Sequence, residues 1–220
     1  MTDKRIVLFA GHYGSGKTNI AVNYALKLKE EGFPVLIADL DIVNPYFRTK
    51  DSERELEEKG IELICSEFAN TNLDIPSLPK NMYRVVNDKR YRAVMDIGGD
   101  DAGAIALGRF APFINEENNY EMIFVANFFR PLTRKAEEAY EVMKEIEIAS
   151  SLKFTAIVNN SNLGADTCAE DVISSFAQTD KLSSLSGLPV LFTSCEKHLY
   201  EKLNNLGKII FPLELQSKFF

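Results

Sequence analysis

Short apolar runs alternate along this chain with segments whose apolar positions recur every three or four residues. The strand-like apolar runs are residues 6–10, 35–38, 61–65, 91–95, 122–126, 154–158 and 190–192. Several intervening segments have the period of an amphipathic helix, as in 18–31, where Ile20, Tyr24 and Leu28 share one face. This alternation predicts an α/β fold with a doubly wound, mostly parallel sheet flanked by helices, in three layers.

Capping residues predict where several of the helices begin. The four candidate caps, three of them with Glu at the third following position, are Ser52, Thr133, Thr167 and Thr193. Segment 70–80 contains two prolines and is predicted to be a loop. No linker or internal repeat interrupts the pattern, so residues 1–220 are expected to form a single domain.

The composition narrows the class of protein. Lys and Arg number 25 against 32 Asp and Glu, a formal net charge of −7 that argues against general binding to nucleic acid or anionic membrane. The three cysteines have no close spacing, which argues against a metal or disulfide framework and fits a reducing compartment. Because no apolar run is long enough to span a membrane and no signal peptide precedes the first strand, we expect a cytoplasmic protein.

One loose basic stretch departs from this acidic balance. Its members are Lys80, Arg84, Lys89, Arg90 and Arg92. Two interpretations are open, a patch that docks a partner and an ordinary solvated face. The acidic charge of the whole chain favours the solvated face.

The strongest chemical signal follows the first strand. Residues 11–18 read GHYGSGKT, which fits the P-loop pattern G-x-x-x-x-G-K-[ST] between an apolar run and a helix. The glycines let backbone N–H groups face a phosphate, Lys17 reaches the outer phosphates and Thr18 offers its hydroxyl to Mg²⁺. The candidate nucleotide-binding residues are Gly11, His12, Tyr13, Gly14, Ser15, Gly16, Lys17, Thr18 and Asn19.

Two other apolar runs end in carboxylates. Asp39 and Asp41 follow the run at 35–38, and Asp96 follows the run at 91–95. In a doubly wound sheet, ligands bind outside the carboxyl ends of the strands, so these side chains can converge on one Mg²⁺–triphosphate. A carboxylate at the end of a buried strand is costly to desolvate without a cation nearby, which makes these three candidates for a metal site or a water site.

Taken together, the P-loop, residues 35–41 and residues 96–100 resemble the CobQ/CobB/MinD/ParA nucleotide-binding domain family, the deviant-Walker branch of P-loop NTPases. The resemblance covers nearly the whole chain and implies ATP and Mg²⁺ as cofactors. Position by position, it implies that Lys17 is the phosphate lysine, that Thr18 binds Mg²⁺, and that Asp96 holds Mg²⁺ through water. Asp39 is a further metal candidate.

The same resemblance implies catalytic roles. Lys17, Asp41 and Asp39 would be the catalytic residues, with Asp41 positioning the attacking water and Asp39 supporting it. Gly99 would be a switch residue near the γ-phosphate. Asn159 ends the strand that supplies a base-reading asparagine in relatives, which makes it a candidate for the adenine edge; the alternative is an ordinary strand-end asparagine.

One position departs from the family pattern. His12 stands where the family carries its signature lysine, which reaches across a dimer to the phosphates of the partner. His12 is either a polar loop residue without a catalytic part or a weaker substitute for that lysine. We therefore expect slow basal hydrolysis and at most a weak ATP-dependent homodimer.

These observations favour a cytosolic Mg²⁺-dependent ATPase that acts as a nucleotide switch for an unidentified client protein. Loops 45–50 and 98–103 would be ordered by the γ-phosphate. Two alternatives stay open: an ATP-dependent small-molecule kinase or ligase on the same fold, and a nucleotide-binding protein without significant turnover. Residues 213–220 carry one cation, Lys218, and do not predict a membrane-targeting helix.

Overall fold

A computed structural model describes residues 2–41, 49–65 and 80–214. Eight strands in these ranges form one sheet: β1 (Ile6–Ala10), β2 (Val35–Leu40), β3 (Glu62–Cys65), β4 (Arg92–Ile97), β5 (Tyr120–Ala126), β6 (Ala156–Asn159), β7 (Val190–Glu196) and β8 (Ile210–Leu213). Their order is β3-β2-β4-β1-β5-β6-β7-β8, and every neighbouring pair is parallel. The carboxyl ends of these strands therefore share one edge of the sheet.

Helices cover both faces of this sheet. Those in the described ranges are α1 (Lys17–Glu30), α2 (Glu53–Glu58), α3 (Arg84–Asn87), α4 (Asp101–Gly108), α5 (Ala111–Glu117), α6 (Ala136–Ser150), α7 (Ala169–Ser174), α8 (Phe176–Ser186) and α9 (Tyr200–Leu203). Helices α1 and α2 contribute to the core on one face, and α3, α4, α5, α6 and α8 contribute to the core on the other. The predicted doubly wound α/β fold is confirmed.

Strand β1 shows why an uninterrupted apolar run belongs at the centre. Ile6 and Leu8 point into one core, Val7 and Phe9 point into the other, and all five residues of the strand are buried. A strand that is covered on both faces has no solvent side and needs no polar alternation. The central position of β1 follows directly from its composition.

The topology brings the chemically marked strand ends together. β1 lies between β4 and β5. After β1 the chain forms β2, β3 and β4 on one side of it, and it then crosses over to form β5 on the other side. Such a switch point opens a crevice outside the carboxyl ends of the strands. Across the ladder, Asp39 on β2 is the register partner of Asp96 on β4, which is in turn the partner of Phe9 on β1.

Two of the predicted helix starts are wrong. Thr133 does not cap α6, because its hydroxyl donates to the carbonyl of Asn127 at 2.7 Å inside a short 3-10 turn. The cap is Lys135, whose N–H donates to the Glu138 carboxylate at 3.1 Å. Thr193 lies within β7, which continues to Glu196, so this residue extends a strand instead of beginning the last helix.

The other two predicted starts are close to the observed ones. Ser52 precedes α2 as predicted. Helix α7 begins one residue later than the pattern at Thr167 implies, because the N–H of Cys168 donates to the Asp171 carboxylate at 2.9 Å. Helices α4 and α5 and strand β8 were not predicted. Three predictions fall largely outside the described residues: these are positions 70–79 of the loop predicted at 70–80, positions 45–48 of the 45–50 loop, and positions 215–220 of the segment 213–220. Lys80 is described and begins a short 3-10 turn.

Ion pairs within the chain occupy the arginines of the basic stretch. Arg84 pairs with Glu62, and Arg90 pairs with Asp88 at 2.6 Å. Arg92 donates to two backbone carbonyls near the N-terminus. These contacts support the interpretation of the stretch as a solvated face. Over the described ranges, the structure contains no helix whose length and apolar content would allow it to cross a bilayer.

Candidate functional site

The P-loop curls tightly between β1 and the first turn of α1. The Ser15 N–H donates to the His12 carbonyl at 3.1 Å, closing the turn. Gly16 has a φ of 84°, in the left-handed region, and a Cβ at this position would lie 2.3 Å from Nδ2 of Asn160. Only glycine fits both the conformation and the space, which explains the second glycine of the motif.

Four ionisable side chains lie together beside this loop, and we call them the charged cluster: Lys17, Asp39, Asp41 and Asp96. All four are buried, with exposed fractions of 5%, 5%, 7% and 0%. Burial lowers the pKa of Lys17, while the nearby carboxylates of Asp96 and Asp41 oppose the shift. Burial likewise raises the pKa of Asp96 against the attraction of Lys17 and a hydrogen bond from Thr18.

The surroundings of Asp96 fit a magnesium ion that arrives with a nucleotide. Its Oδ2 accepts from the Thr18 hydroxyl at 2.7 Å and from the Thr49 hydroxyl at 3.0 Å. Its Oδ1 is buried and has no hydrogen-bond partner among the described residues. Mg²⁺ is typically held by one or two protein oxygens, with phosphate and water oxygens completing its shell. Within the described ranges no group of three or more His, Cys, Asp or Glu side chains is arranged to hold a metal ion.

Asp39 and Asp41 have different surroundings. The Asp41 N–H donates to Oδ1 of Asp39 at 2.9 Å, which fixes the turn after β2. Asp41 lines the cavity described below, whereas Asp39 does not. The geometry therefore presents Asp41 to a ligand and makes Asp39 its support.

Gly99 brings the loop after β4 against the P-loop. A Cβ on Gly99 would lie 2.6 Å from the backbone nitrogen of Tyr13 and 2.8 Å from Nζ of Lys17. The next residue, Asp100, accepts the Gly103 N–H at 2.9 Å and begins α4. Any larger residue at position 99 would displace the P-loop or its lysine.

A cavity of about 590 Å³ runs along the carboxyl ends of the strands. Its lining includes Lys17, Thr18 and Asp41 on one side, and on the other Asn160, which directly follows β6, and Ser194, which lies within the last part of β7. This volume lies within the range of small-molecule and cofactor sites.

Hydrogen bonds between neutral side chains build the second end of the cavity. We call Asn159, Asn160, Ser161 and Ser194 the amide–hydroxyl network. Nδ2 of Asn160 donates to the Ser15 carbonyl at 2.7 Å, and its Oδ1 accepts from the Ser194 hydroxyl at 2.6 Å. Asn160 thus ties the end of β6 to the P-loop.

Asn159 does not line the cavity, which corrects its assignment to the adenine edge. It is completely buried, and its Nδ2 donates to the Ser175 hydroxyl at 2.7 Å. Its Oδ1 accepts from the N–H and the hydroxyl of Ser161 at 3.1 and 2.7 Å. Both amide atoms are therefore engaged behind the cavity wall, and a structural strand-end role fits.

The side chain of His12 contacts the backbone of its own loop. Its Nδ1 lies 3.0 Å from the Tyr13 carbonyl, and its own carbonyl accepts from Nζ of Lys17 at 3.3 Å. His12 is not among the residues that line the cavity. Within this single chain, the geometry fits a loop residue that acts through its backbone.

Several residues at the site were not predicted as site residues, among them Thr49, Arg130, Asn160, Ser161 and Ser194. Arg130 donates from Nε to the Gly14 carbonyl at 2.8 Å. Asn160 and Arg130 both follow predicted strands. Their positions after the carboxyl ends of strands, where ligands bind, could have identified them as candidate site residues. Thr49 does not follow a predicted strand, but it lies in the 45–50 loop that was expected to be ordered by the γ-phosphate.

No protein-family model and no curated protein matches the chain. Solved structures do match. Signal recognition particle receptor FtsY from Elizabethkingia anophelis, in complex with GDP, is 16% identical with a TM-score of 0.54, covering 99% of this chain and 62% of that one. Signal Recognition Particle 54 kDa protein from Aeropyrum pernix K1, in complex with GDP, is 17% identical with a TM-score of 0.56, covering 88% of this chain and 42% of that one.

Cell division protein ftsY from Thermotoga maritima is 14% identical with a TM-score of 0.58, covering 87% of this chain and 62% of that one. The chain thus spans between 42% and 62% of these three relatives in fold. At such identities the likeness concerns the fold alone. The resemblance to the CobQ/CobB/MinD/ParA family rests on the sequence motifs and gains no support from these structures.

Proposed function

We propose that this protein binds Mg²⁺–ATP, hydrolyses it slowly and acts as a MinD/ParA-like nucleotide switch for a client protein. The observation that carries the proposal is the charged cluster, in which a buried lysine lies near a buried aspartate, one oxygen of which has no hydrogen-bond partner in the part of the chain that the structure describes. Buried ion pairs contribute little to stability once desolvation is counted. A ligand that brings a metal ion and phosphates would compensate the charges of both Lys17 and Asp96, which explains why the fold retains them.

Each residue has a role in this proposal that matches its position. Lys17, at the first turn of α1, would neutralise the outer phosphates. Thr18 and Asp96 would hold Mg²⁺, which when bound neutralises charge on the phosphate oxygens. Asp41, which lines the cavity next to the P-loop, would orient the attacking water.

The loop that carries Gly99 supports a switching role. Gly99 lies next to the ammonium group of Lys17. A γ-phosphate bound by Lys17 would therefore contact the loop that carries Gly99. The loop leads directly into α4 through the Asp100 cap, and α4 packs on α6. A change of loop conformation would therefore reach the helical surface that a client protein could bind.

GTP is a second candidate nucleotide. Two of the matching structures were solved in complex with GDP. The test of function therefore includes both triphosphates.

Thermal unfolding tests the proposal. Saturating Mg²⁺–ATP, at about a hundredfold over its dissociation constant, should stabilise the protein by about 2.7 kcal/mol. Lys17→Ala should abolish this stabilisation, because the outer phosphates lose their buried cation. Lys27→Ala is the matched control, since Lys27 lies on the same helix with 47% of its side chain exposed. A wild-type melting curve unmoved by both Mg²⁺–ATP and Mg²⁺–GTP would overturn the proposal.

A further inference from the structure

A second cation reaches the P-loop from a distant part of the chain. Arg130 follows β5, and its Nε donates to the Gly14 carbonyl at 2.8 Å. Its Cζ would lie 3.9 Å from a Cβ built on Gly14, so the guanidinium lies directly against the loop. Among the described residues that line the cavity, Lys17 and Arg130 are the cationic ones.

The backbone around Arg130 is held firmly. The Asn127 carbonyl accepts from the Arg130 N–H at 3.3 Å and from the Thr133 hydroxyl at 2.7 Å. Oδ1 of Asn127 accepts the Phe129 N–H at 3.0 Å, and Asn127 itself is completely buried. A side chain that extends from such an anchored turn has its direction set before a ligand arrives, which favours specific contact.

The guanidinium of Arg130 has N–H donors that are not used within the described part of the chain. Nε is used by the Gly14 carbonyl, whereas Nη1 and Nη2 of Arg130 make no hydrogen bond within the described part of the chain. Arginine presents its donors in a planar fork that matches phosphate oxygens. A guanidinium braced through one nitrogen, with two nitrogens open at a phosphate-binding loop, is arranged to bind an anion.

The charge balance of the cavity points the same way. The phosphate end holds three buried carboxylates, those of Asp39, Asp41 and Asp96, against the single buried ammonium of Lys17. A triphosphate adds further negative charge to this end. His12 is not in the cavity lining, so Arg130 is the remaining cation in the described lining that could offset that charge.

We propose that Arg130 contacts the phosphate chain of the bound nucleotide as a second cation supplied by the same chain. This inference rests on the proposed nucleotide binding and adds a specific residue to it. The occupied Nε keeps the guanidinium on the P-loop, and the terminal nitrogens donate to phosphate oxygens.

Calorimetric titration with Mg²⁺–ATP and Mg²⁺–ADP tests the contact. Arg130→Gln removes the charge but keeps a donor of similar reach for the Gly14 carbonyl. The variant should bind both nucleotides about tenfold to a hundredfold more weakly than wild type, which corresponds to the loss of a hydrogen bond to a charged group. Arg130→Lys should recover part of that loss. Arg134→Ala is the control, because Arg134 is exposed, follows the same turn and does not line the cavity.

The outcomes separate this inference from the proposed function. If wild type binds Mg²⁺–ATP and Arg130→Gln binds within about twofold of it, Arg130 only braces the loop, and the inference fails while the function stands. The inference also fails, again without the function, if Arg130→Gln lowers the melting temperature of the ligand-free protein and Arg130→Lys loses as much affinity. If wild type binds neither nucleotide, the proposed function and the inference both fail.

Discussion

The two ends of the cavity are built from opposite kinds of polar chemistry at the same edge of one sheet. The charged cluster buries an ammonium and three carboxylates, and one oxygen of Asp96 has no hydrogen-bond partner among the described residues. In the amide–hydroxyl network, by contrast, both amide atoms of Asn159 and of Asn160 have partners. The first end is incomplete without a ligand, and the second is complete in its absence.

This difference indicates a division of labour. Buried charges are costly, and a structure retains them where a ligand of opposite charge compensates them. Neutral hydrogen bonds that are already satisfied hold a shape and cost little to keep. We infer that the charged cluster performs the chemistry and that the network fixes the P-loop against which it acts.

The largest expected effect belongs to the charged cluster. Asp41→Ala should retain Mg²⁺–ATP affinity but lose roughly 10²–10³ in hydrolysis rate, by analogy with the removal of one transition-state group. Steady-state phosphate release and calorimetric binding measure the two quantities. Asp101→Ala provides the control, because Asp101 is an exposed carboxylate at the start of α4. Unchanged hydrolysis in Asp41→Ala would transfer the role to another residue, with Asp39 as the first candidate.

The network should respond in stability instead of rate. Asn160→Ala leaves the Ser15 carbonyl without the amide that donates to it, while the Ser194 hydroxyl keeps only its 3.2 Å bond to the Asn159 carbonyl, and we expect a loss of about 1–3 kcal/mol in the free energy of unfolding. Asn159→Ala should have a similar effect on stability. Only Asn160→Ala should also weaken Mg²⁺–ATP binding, because Asn160 alone of the two holds the P-loop.

Urea unfolding and nucleotide titration of both variants make this measurement. Equal weakening of nucleotide binding by Asn159→Ala and Asn160→Ala would show that the network acts as one unit. Loss of nucleotide affinity in Asn159→Ala alone would restore Asn159 as a contact with the base.

The same contrast explains how much could be predicted from sequence. The charged cluster follows from strand ends and from a motif whose residue types and spacing are dictated by phosphate and metal chemistry, so Lys17, Thr18 and Asp96 were identifiable. The network joins Asn160 to Ser15, which is 145 positions away, and to Ser194, which is 34 positions away. No local spacing encodes such bonds.

The fold followed the same rule. The central strands are continuous apolar runs that can only be buried, whereas several helix starts were missed because nearby tertiary contacts decided them. Thr133 has a good capping side chain, but the buried carbonyl of Asn127 engages its hydroxyl. A competing hydrogen bond to a carbonyl six residues earlier in the chain therefore overrode the capping propensity of Thr133.

A smaller effect is expected if the charged cluster lowers the stability of the ligand-free protein while it favours binding of Mg²⁺–ATP. Asp96→Asn removes a carboxylate whose pKa burial raises, and its amide oxygen can still accept from Thr18. A raised pKa means that the folded state resists ionisation, so the contribution of Asp96 to stability falls as pH rises above the ordinary carboxyl value of about 3.9. Burial raises the pKa of Asp96 to about 6, so the ligand-free variant should be more stable than wild type at pH 8 by roughly 1–2 kcal/mol, less than the whole shift is worth because the new buried amide has a desolvation cost of its own.

Urea unfolding at pH 5 and pH 8 checks the sign. The advantage of Asp96→Asn should shrink at pH 5, and stabilisation by Mg²⁺–ATP should be lost. A variant that is less stable than wild type at both pH values would show that the carboxylate of Asp96 stabilises the ligand-free fold.

The smallest effect is expected at His12. His12→Ala should change Mg²⁺–ATP affinity and hydrolysis by no more than about twofold, the range of ordinary surface substitutions. The imidazole does not line the cavity, and the backbone carbonyl that accepts from Lys17 remains in the variant. Titration and steady-state phosphate release at low and high protein concentration make the test. A tenfold loss that appears only at high concentration, together with a dimer in light scattering, would place His12 at the phosphates of a second copy and end its description as a loop residue.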